Sequence, residues 1–154
     1  MAAFTQLTDT PSSFSGEAKK ILRVNAGETA LELVEREAAL TFIIDGGGAA
    51  ITTGEKGHLV APFACTIVAV ELEGDQSGSI KVDIWKDTYG NFPPTDADSI
   101  CGGNEPEISG AQKDKDTTLT GWTKAVSEGD VIAFNVDSVT DIQRCTVTLH
   151  VEKS

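Results

Sequence analysis

The stretch RCTVTLHVEK, residues 144–153, carries the clearest structural signal of the chain. Apolar and polar side chains alternate along it, so that every second residue can face a core while the others face away. A period of two is typical of a strand in an antiparallel sheet that has one buried face. The apolar set is Cys145, Val147, Leu149 and Val151.

The same alternation recurs in two earlier segments, Ser79–Lys86 and Val131–Asp137. Other short β-rich segments are bounded by Gly, Pro, Asp or Asn, which favour turns. Roughly seven or eight short strands predict an all-β fold, an antiparallel β-sandwich of jelly-roll type, with Asp87–Lys115 as one long loop. The further strand segments are Leu40–Ile44, Leu59–Ala61, Thr66–Leu72 and Thr117–Trp122.

The amino-terminal part differs from this pattern. Ile21–Val24 and Ala30–Val34 are short apolar stretches separated by Asn25–Glu28, which predicts an extended arm followed by one β-hairpin. A lone hairpin buries too little apolar surface to offset the entropy of ordering its backbone, so it needs a partner surface. The composition of residues 29–40 also suits a helix, and that alternative stays open.

The arm and the body carry a resemblance to a known class of proteins. The runs LTDTPSSFSG, residues 7–16, and KILRVNAGETALEL, residues 20–33, resemble a segment of tailed-bacteriophage fibre and virion structural proteins. The stretches IDGGG, ITTG, PFACTI, DIWK and PPTDADSI, which begin at residues 44, 51, 62, 83 and 93, are similar to a compact β domain found beside that segment. The resemblance implies a non-enzymatic, trimeric virion component whose arm docks and whose β domain projects.

This resemblance implies a division into a docking and trimerisation arm, residues 1–38, and a β-sandwich domain, residues 39–154. The expected partners are other copies of the chain and the major capsid protein or another virion protein. Because no repetitive shaft separates arm and body, capsid decoration, as a cement protein or head fibre, is favoured over a tail fibre. The expected docking and trimer contacts are Leu7, Asp9, Pro11, Ile21, Leu22, Val24, Leu31 and Leu33.

The charge of the chain excludes one class of partner. The formal net charge is −12, whereas binding to nucleic acid depends on clustered Lys and Arg that displace counterions from phosphates. The arm is nearly neutral, because residues 1–38 hold four basic and six acidic side chains against eight and eighteen in the rest. A nearly neutral arm on an acidic body suits docking, although the acidity also serves solubility alone.

The sequence shows no catalytic or metal-binding pattern. The three cysteines lack the paired spacing of a zinc site or a disulfide framework, and Cys145 is expected to be a small core residue. The two histidines are not placed for a nucleophile–base pair. We therefore expect no enzyme activity, cofactor or metal. Without a secretion signal or an apolar run of membrane-spanning length, we expect no membrane partner and assembly into a virion in the host cytoplasm.

Four aromatic residues support an alternative function. Exposed aromatic faces stack on sugar rings, and Trp85 lies on the outward phase of its strand. An outward Trp is more often covered by a loop or by a neighbouring subunit. The alternative is a carbohydrate-binding module for a host-surface glycan, with Trp85, Tyr89 or Trp122 as stacking residues and Phe92 nearby.

Overall fold

The computed structural model describes residues 20–34 and 36–154, and within these ranges the chain is all-β. Helical structure there is confined to two single turns of 3-10 helix, Tyr89–Asn91 and Asp96–Asp98. Among residues 29–40, for which a helix was also considered, the described residues contain no helix, and 31–34 and 37–40 are strand. The strands are β1 (Ile21–Val24), β2 (Leu31–Val34), β3 (Glu37–Asp45), β4 (Gly54–Val60), β5 (Cys65–Asp87), β6 (Glu107–Asp116), β7 (Ala125–Val126), β8 (Val131–Thr140) and β9 (Arg144–Lys153).

β1 and β2 form their own two-stranded sheet, and the other strands form one antiparallel sheet in the order β3-β9-β5-β8-β4. β6 and β7 pair with β5 outside this path. The long β5 belongs to two parts of the sheet, because β9 pairs with its residues 65–74 and β8 with its residues 79–87. We call β3, β9 and residues 65–74 the first half-sheet, and β4, β8 and residues 79–87 the second half-sheet.

The two half-sheets meet where the regular pairing of β5 breaks down. The register with β6 shifts between Glu73 and Gly78 and again between Gly78 and Ile80, and such bulges bend a strand. A Cβ on Gly78 would lie 2.4 Å from the carbonyl oxygen of Thr140, so only glycine fits this close approach. One carboxylate oxygen of Asp75 accepts hydrogen bonds from the backbone N–H groups of Gln143 and Arg144, each at 3.0 Å. The bend of β5 is thereby tied to the β8–β9 turn.

The Asp75 contact makes stability depend on pH. The backbone N–H of Arg144 and then that of Gln143 hold the pKa of Asp75 below its ordinary value of 3.8. A lowered pKa in the folded state stabilises the fold above the unfolded pKa, and this stability is lost as the pH falls through the folded pKa. Asp75→Asn is expected to lower the free energy of unfolding at pH 7 and to flatten its decline between about pH 5 and pH 2. Urea unfolding across that pH range checks this, and identical slopes in the two proteins would contradict it.

The core lies between the facing half-sheets. The ring of Phe42 on β3 stacks on the ring of Phe134 on β8, with centroids 4.5 Å apart and 3° between the planes. Phe42 also lies against β4, where Gly57 has a φ of 142° and an added Cβ would come within 2.8 Å of the Phe42 ring. The predicted antiparallel β-sandwich of jelly-roll type is confirmed as a single curled sheet whose two halves pack on each other.

The predicted inward phases are confirmed. Along β9 the alternating apolar set has exposures of 0 to 1%, and Ile80, Val82 and Ile84 on β5 are fully buried. The same holds for Ile132, Phe134 and Val136 on β8, although the outward Ala133 is buried as well.

Three predicted boundaries are wrong. The segments Thr66–Leu72 and Ser79–Lys86 are parts of the single strand β5, and β6 lies partly within the predicted loop Asp87–Lys115. Thr117–Trp122 is a turn, because the Asp116 carboxylate accepts hydrogen bonds from the backbone N–H groups that follow it. Leu119 takes a φ of 51° in that turn.

The core of the described chain draws no residue from before Ala38. A chain that lacks residues 1–34 is therefore expected to fold, because every residue of β3 and of its register with β9 remains. Thermal unfolding followed by circular dichroism should give one cooperative transition, as a domain with its own core does. A broad, uncooperative transition would contradict an independent body.

Candidate docking site

The hairpin has two chemically different faces, which its register defines. Leu22 pairs with Leu33 and Val24 with Leu31, and residues paired across strands share a face. These four side chains, Leu22, Val24, Leu31 and Leu33, form what we call the aliphatic face. The opposite face holds Ile21 and Val34 beside the ion pair between Arg23 and Glu32, whose Nε and Oε1 atoms lie 2.9 Å apart.

The hairpin turn is closed by Asn25. Its backbone N–H donates to the carbonyl of Ala30 at 2.9 Å, and its side-chain Oδ1 accepts from the backbone N–H groups of Thr29 and Ala30. Glu28 donates its N–H to the Asn25 carbonyl and takes a φ of 56°. These bonds fix the register and so decide which side chains make up the aliphatic face.

The body does not cover the aliphatic face. Leu22 is 41% exposed and Val24 57% exposed, and Ile21 on the other face is 46% exposed. Leu31 and Leu33 are half-buried. Of the contacts predicted from the sequence, the structure thus brings four together on one face and places Ile21 on the other. Leu7, Asp9 and Pro11 lie outside the described residues.

The hairpin joins the body at Arg36, which is fixed by two hydrogen bonds to the carboxyl end of the chain. Its carbonyl accepts from the backbone N–H of Lys153 at 2.9 Å, and its guanidinium Nη1 donates to the carbonyl oxygen of Ser154 at 3.1 Å. Two residues, 35 and 36, therefore separate the hairpin from β3, and the second of them is anchored on the body.

A groove of about 310 Å3 opens at the end of the first half-sheet beside this junction. Its apolar lining consists of Ala38, Val68, Ala69 and Val151, and we call it the β3–β5 groove. Val68 is the residue left unpaired by the register shift between Ile67 and Ala69, and it is 36% exposed. The rest of its lining is polar and consists of Glu37, Lys115, Thr117, His150 and Glu152. The groove is thus a mixed surface that lies close to the hairpin.

One rim of the β3–β5 groove carries a small ionic network. Oε2 of Glu71 lies 3.0 Å from Nε2 of His150 and 3.1 Å from Nζ of Lys115. The hydrogen bond to His150 and then that to Lys115 hold the pKa of Glu71 below its ordinary value. Lys115 and His150 are thus engaged within the body, and they link β6 and β9 to β5.

The structure separates the aromatic residues predicted for sugar stacking. Trp122 is only 8% exposed and its indole N–H donates to the carbonyl of Asn104 at 3.0 Å, so it does not offer a ring face to solvent. Its burial could not be read from the sequence, because Trp122 lies in a turn without alternation. Tyr89 is 74% exposed and Phe92 54% exposed, whereas Trp85 is half-buried.

The segment after β5 covers the outward face of the second half-sheet. Trp85, Ala133 and His58 share that face through their register, and the Phe92 ring lies 4.9 Å from the His58 ring. Phe92 follows β5 but contacts β4, so the segment crosses β8, where Ala133 is fully buried. Trp85, on the same face, is half-buried.

Asp83 is a buried residue on the same face of β5 as Trp85. It is 4% exposed, and its carboxylate accepts hydrogen bonds from the Trp85 indole N–H at 2.6 Å and the Ser99 hydroxyl at 2.7 Å. A buried carboxylate needs such donors to compensate for lost hydration. The network joins β5 to the segment that follows it, and the distant partner Ser99 left no signal in the local pattern.

Comparison with known proteins gives only weak likenesses. No family model matches the chain, and no curated protein matches it. The solved "Capsid of Ralstonia phage GP4" is similar over 77% of this chain and 84% of that chain, with 12% sequence identity and a TM-score of 0.43. The "Structure of infectious bursal disease virus Gx strain" is similar over 85% of this chain and 42% of that chain, with 9% identity and a TM-score of 0.22. At these values, neither likeness identifies the role of the chain.

The three cysteines of the body lie in its core. Cys65, Cys101 and Cys145 are free and buried, and burial raises the pKa of each thiol, that of Cys145 to about 11. Within residues 20–34 and 36–154, no group of three or more His, Cys, Asp or Glu side chains is placed to hold a metal ion. The same part of the chain has no helix long and apolar enough to cross a membrane.

Proposed function

We propose that the chain is a non-enzymatic structural protein of a tailed-phage virion, which docks through its arm and displays its β-sandwich. The observation that carries the proposal is the aliphatic face of the hairpin, which the body leaves exposed. Fully burying an exposed Leu or Val side chain contributes roughly 1.5 to 3 kcal/mol, so completing the burial of Leu22 and Val24 stabilises a docked state. The sequence resemblance of the arm and the body to virion proteins supports the same assignment.

Within this class we propose capsid decoration, as a cement protein or head fibre, before a tail fibre. The hairpin is followed by the body after only two residues, which leaves no length for a shaft. In this proposal residues 1–38 dock and residues 39–154 project from the particle. The chain forms a homotrimer, and its other partner is the major capsid protein or another virion protein. Assembly takes place in the host cytoplasm.

The proposal is tested by the copy number of the chain on particles. Particles from a lysate of the bacterial host that produces the chain are purified on a density gradient and quantified by mass spectrometry. We expect the chain to sediment with the particles in hundreds of copies. A few copies or a few dozen per particle would replace decoration by a tail position, and its absence from particles would contradict a virion role.

Binding of a host-surface glycan is a second candidate, favoured by the exposed ring of Tyr89. Tyr89 and Phe92 lie on the same short segment, and aromatic faces of this kind stack on sugars. Trp85 stays a candidate through its half-exposed ring, whereas Trp122 is buried. Binding on an array of bacterial polysaccharides that Tyr89→Ala removes, without loss of folding, would support this function. No binding by the unaltered chain would contradict it.

A further inference from the structure

We propose that the aliphatic face of the hairpin seats in the β3–β5 groove of a second copy of the chain, head to tail. This inference rests on the proposed docking role of the arm and names what the hairpin binds. The hairpin face is aliphatic, the groove offers an apolar floor within a polar rim, and both belong to the same chain. Leu22 and Val24 are the most exposed members of the hairpin face, and Val68 is the one exposed apolar residue of the groove lining.

The hairpin is poorly placed to reach the groove of its own copy. Arg36 is anchored on Lys153 and Ser154, and the groove is lined by Glu37 and Ala38, the next two residues along the chain. Two residues span at most about 7 Å, which leaves no room for the hairpin to reverse and lay its aliphatic face on that groove. Short connectors of this kind favour exchange of an element between copies.

Charge also favours a hairpin–body contact over a contact between two bodies. The hairpin with its preceding residue, residues 20–34, holds two basic and two acidic side chains, whereas residues 39–154 hold eight basic and eighteen acidic ones. The hairpin itself carries no net charge, so its own contact with an acidic body adds no charge repulsion. The Arg23–Glu32 pair lies on the opposite face of the hairpin and stays in solvent when the aliphatic face is covered.

The size of the surface argues against pairing of two hairpins face to face. Such a contact would bury only four aliphatic side chains from each copy, a small patch beside the roughly 800 Å2 per partner of a stable interface. Seating the hairpin on a body adds the groove walls to the contact. Because hairpin and groove are different surfaces, the contact is heterologous and closes into a ring when the rotation between copies permits.

The test uses one variant of each surface and a matched control. Leu22→Asp with Val24→Asp alters the hairpin, and Val68→Asp alters the groove. Val60→Asp is the control, because Val60 is a 56% exposed valine on the other half-sheet. We expect the unaltered chain and the control to form the same closed oligomer in native mass spectrometry. Both surface variants should be monomeric, with self-association weakened by about 100-fold or more, because an aspartate would be desolvated in the contact.

Mixing the two surface variants decides the head-to-tail arrangement. The groove variant keeps an intact hairpin and the hairpin variant keeps an intact groove, so the mixture should form a 1:1 heterodimer and nothing larger. If Val68→Asp does not fold, Thr117→Arg at the groove rim takes its place, because Thr117 is exposed. Assembly of the groove variant like the unaltered chain, or a mixture without heterodimer, would overturn the inference.

Particle occupancy separates this inference from the proposed function. If the unaltered chain is monomeric and the Val68→Asp chain still sediments with particles at the normal copy number, the hairpin binds another virion protein and the inference is wrong, while the virion role stands. If the chain forms the head-to-tail oligomer but is absent from particles, the virion role is wrong and the inference stands.

Discussion

Replacing Leu22 and Val24 together with aspartate is expected to remove the chain from particles while the body stays folded. Both side chains lie on the aliphatic face and are more than 40% exposed in the single chain. Each aspartate costs several kcal/mol if its site becomes desolvated on docking, and every 1.4 kcal/mol weakens binding tenfold. Occupancy on purified particles should therefore fall by about 100-fold or more.

Two single variants control for the position of the charge. Leu22→Asp and Ile21→Asp make the same chemical change at adjacent residues that point to opposite faces of the hairpin. Ile21 is as exposed as Leu22, so the two variants cost the free chain similar amounts. We expect Leu22→Asp to lower occupancy far more than Ile21→Asp. Equal loss for both would mean that docking does not depend on the aliphatic face.

Phe134→Ala is expected to have the largest effect on the stability of the body. Phe134 is fully buried and stacks on Phe42 across the two half-sheets. Removing a buried phenylalanine costs roughly 3 to 5 kcal/mol through lost burial and the cavity left behind, a large part of the total stability of a domain. Denaturant unfolding should show this loss, and Tyr89→Ala, which removes an exposed ring, should change stability by less than about 0.5 kcal/mol.

The interaction energy of the Phe42–Phe134 pair can be measured by comparing Phe42→Ala and Phe134→Ala with the variant that carries both substitutions. A stacked aromatic pair adds about 0.5 to 1.5 kcal/mol beyond the burial of each ring, so the two single losses should not add up to the double loss. Strict additivity, or a Phe134→Ala chain within about 1 kcal/mol of the unaltered one, would contradict packing of the two half-sheets through this pair.

Strands with one buried face could be predicted from the sequence, and strands without one could not. β9 and the second half of β5 can be recognised from the alternation of apolar and polar residues, because a regular ladder places every second side chain in the core. β6 gives almost no such signal, since Ile108 is its one fully buried residue and polar residues follow it. The sequence did not predict β5 as one strand, because Gly74 and Gly78 are typical of a turn. In the structure they lie at a bend within the strand.

The candidate site was predictable in composition but not in geometry. The apolar residues of the hairpin stand out in the sequence, yet their division into faces depends on the register that the Asn25 turn imposes. The β3–β5 groove could not be foreseen, because its lining comes from separate strands and from the bulge at Val68. The burial of Trp122 and Asp83 could not be predicted for the same reason, since it depends on residues distant in the sequence.

The account rests on the claim that the chain attaches to particles through its arm. The most direct measurement is the copy number, on purified particles, of a chain that lacks residues 1–34, with the full chain measured in parallel. The account predicts a folded, truncated protein that is absent from the particle fraction, whereas the full chain is present in its normal number. A truncated chain found on particles at normal occupancy would contradict the account.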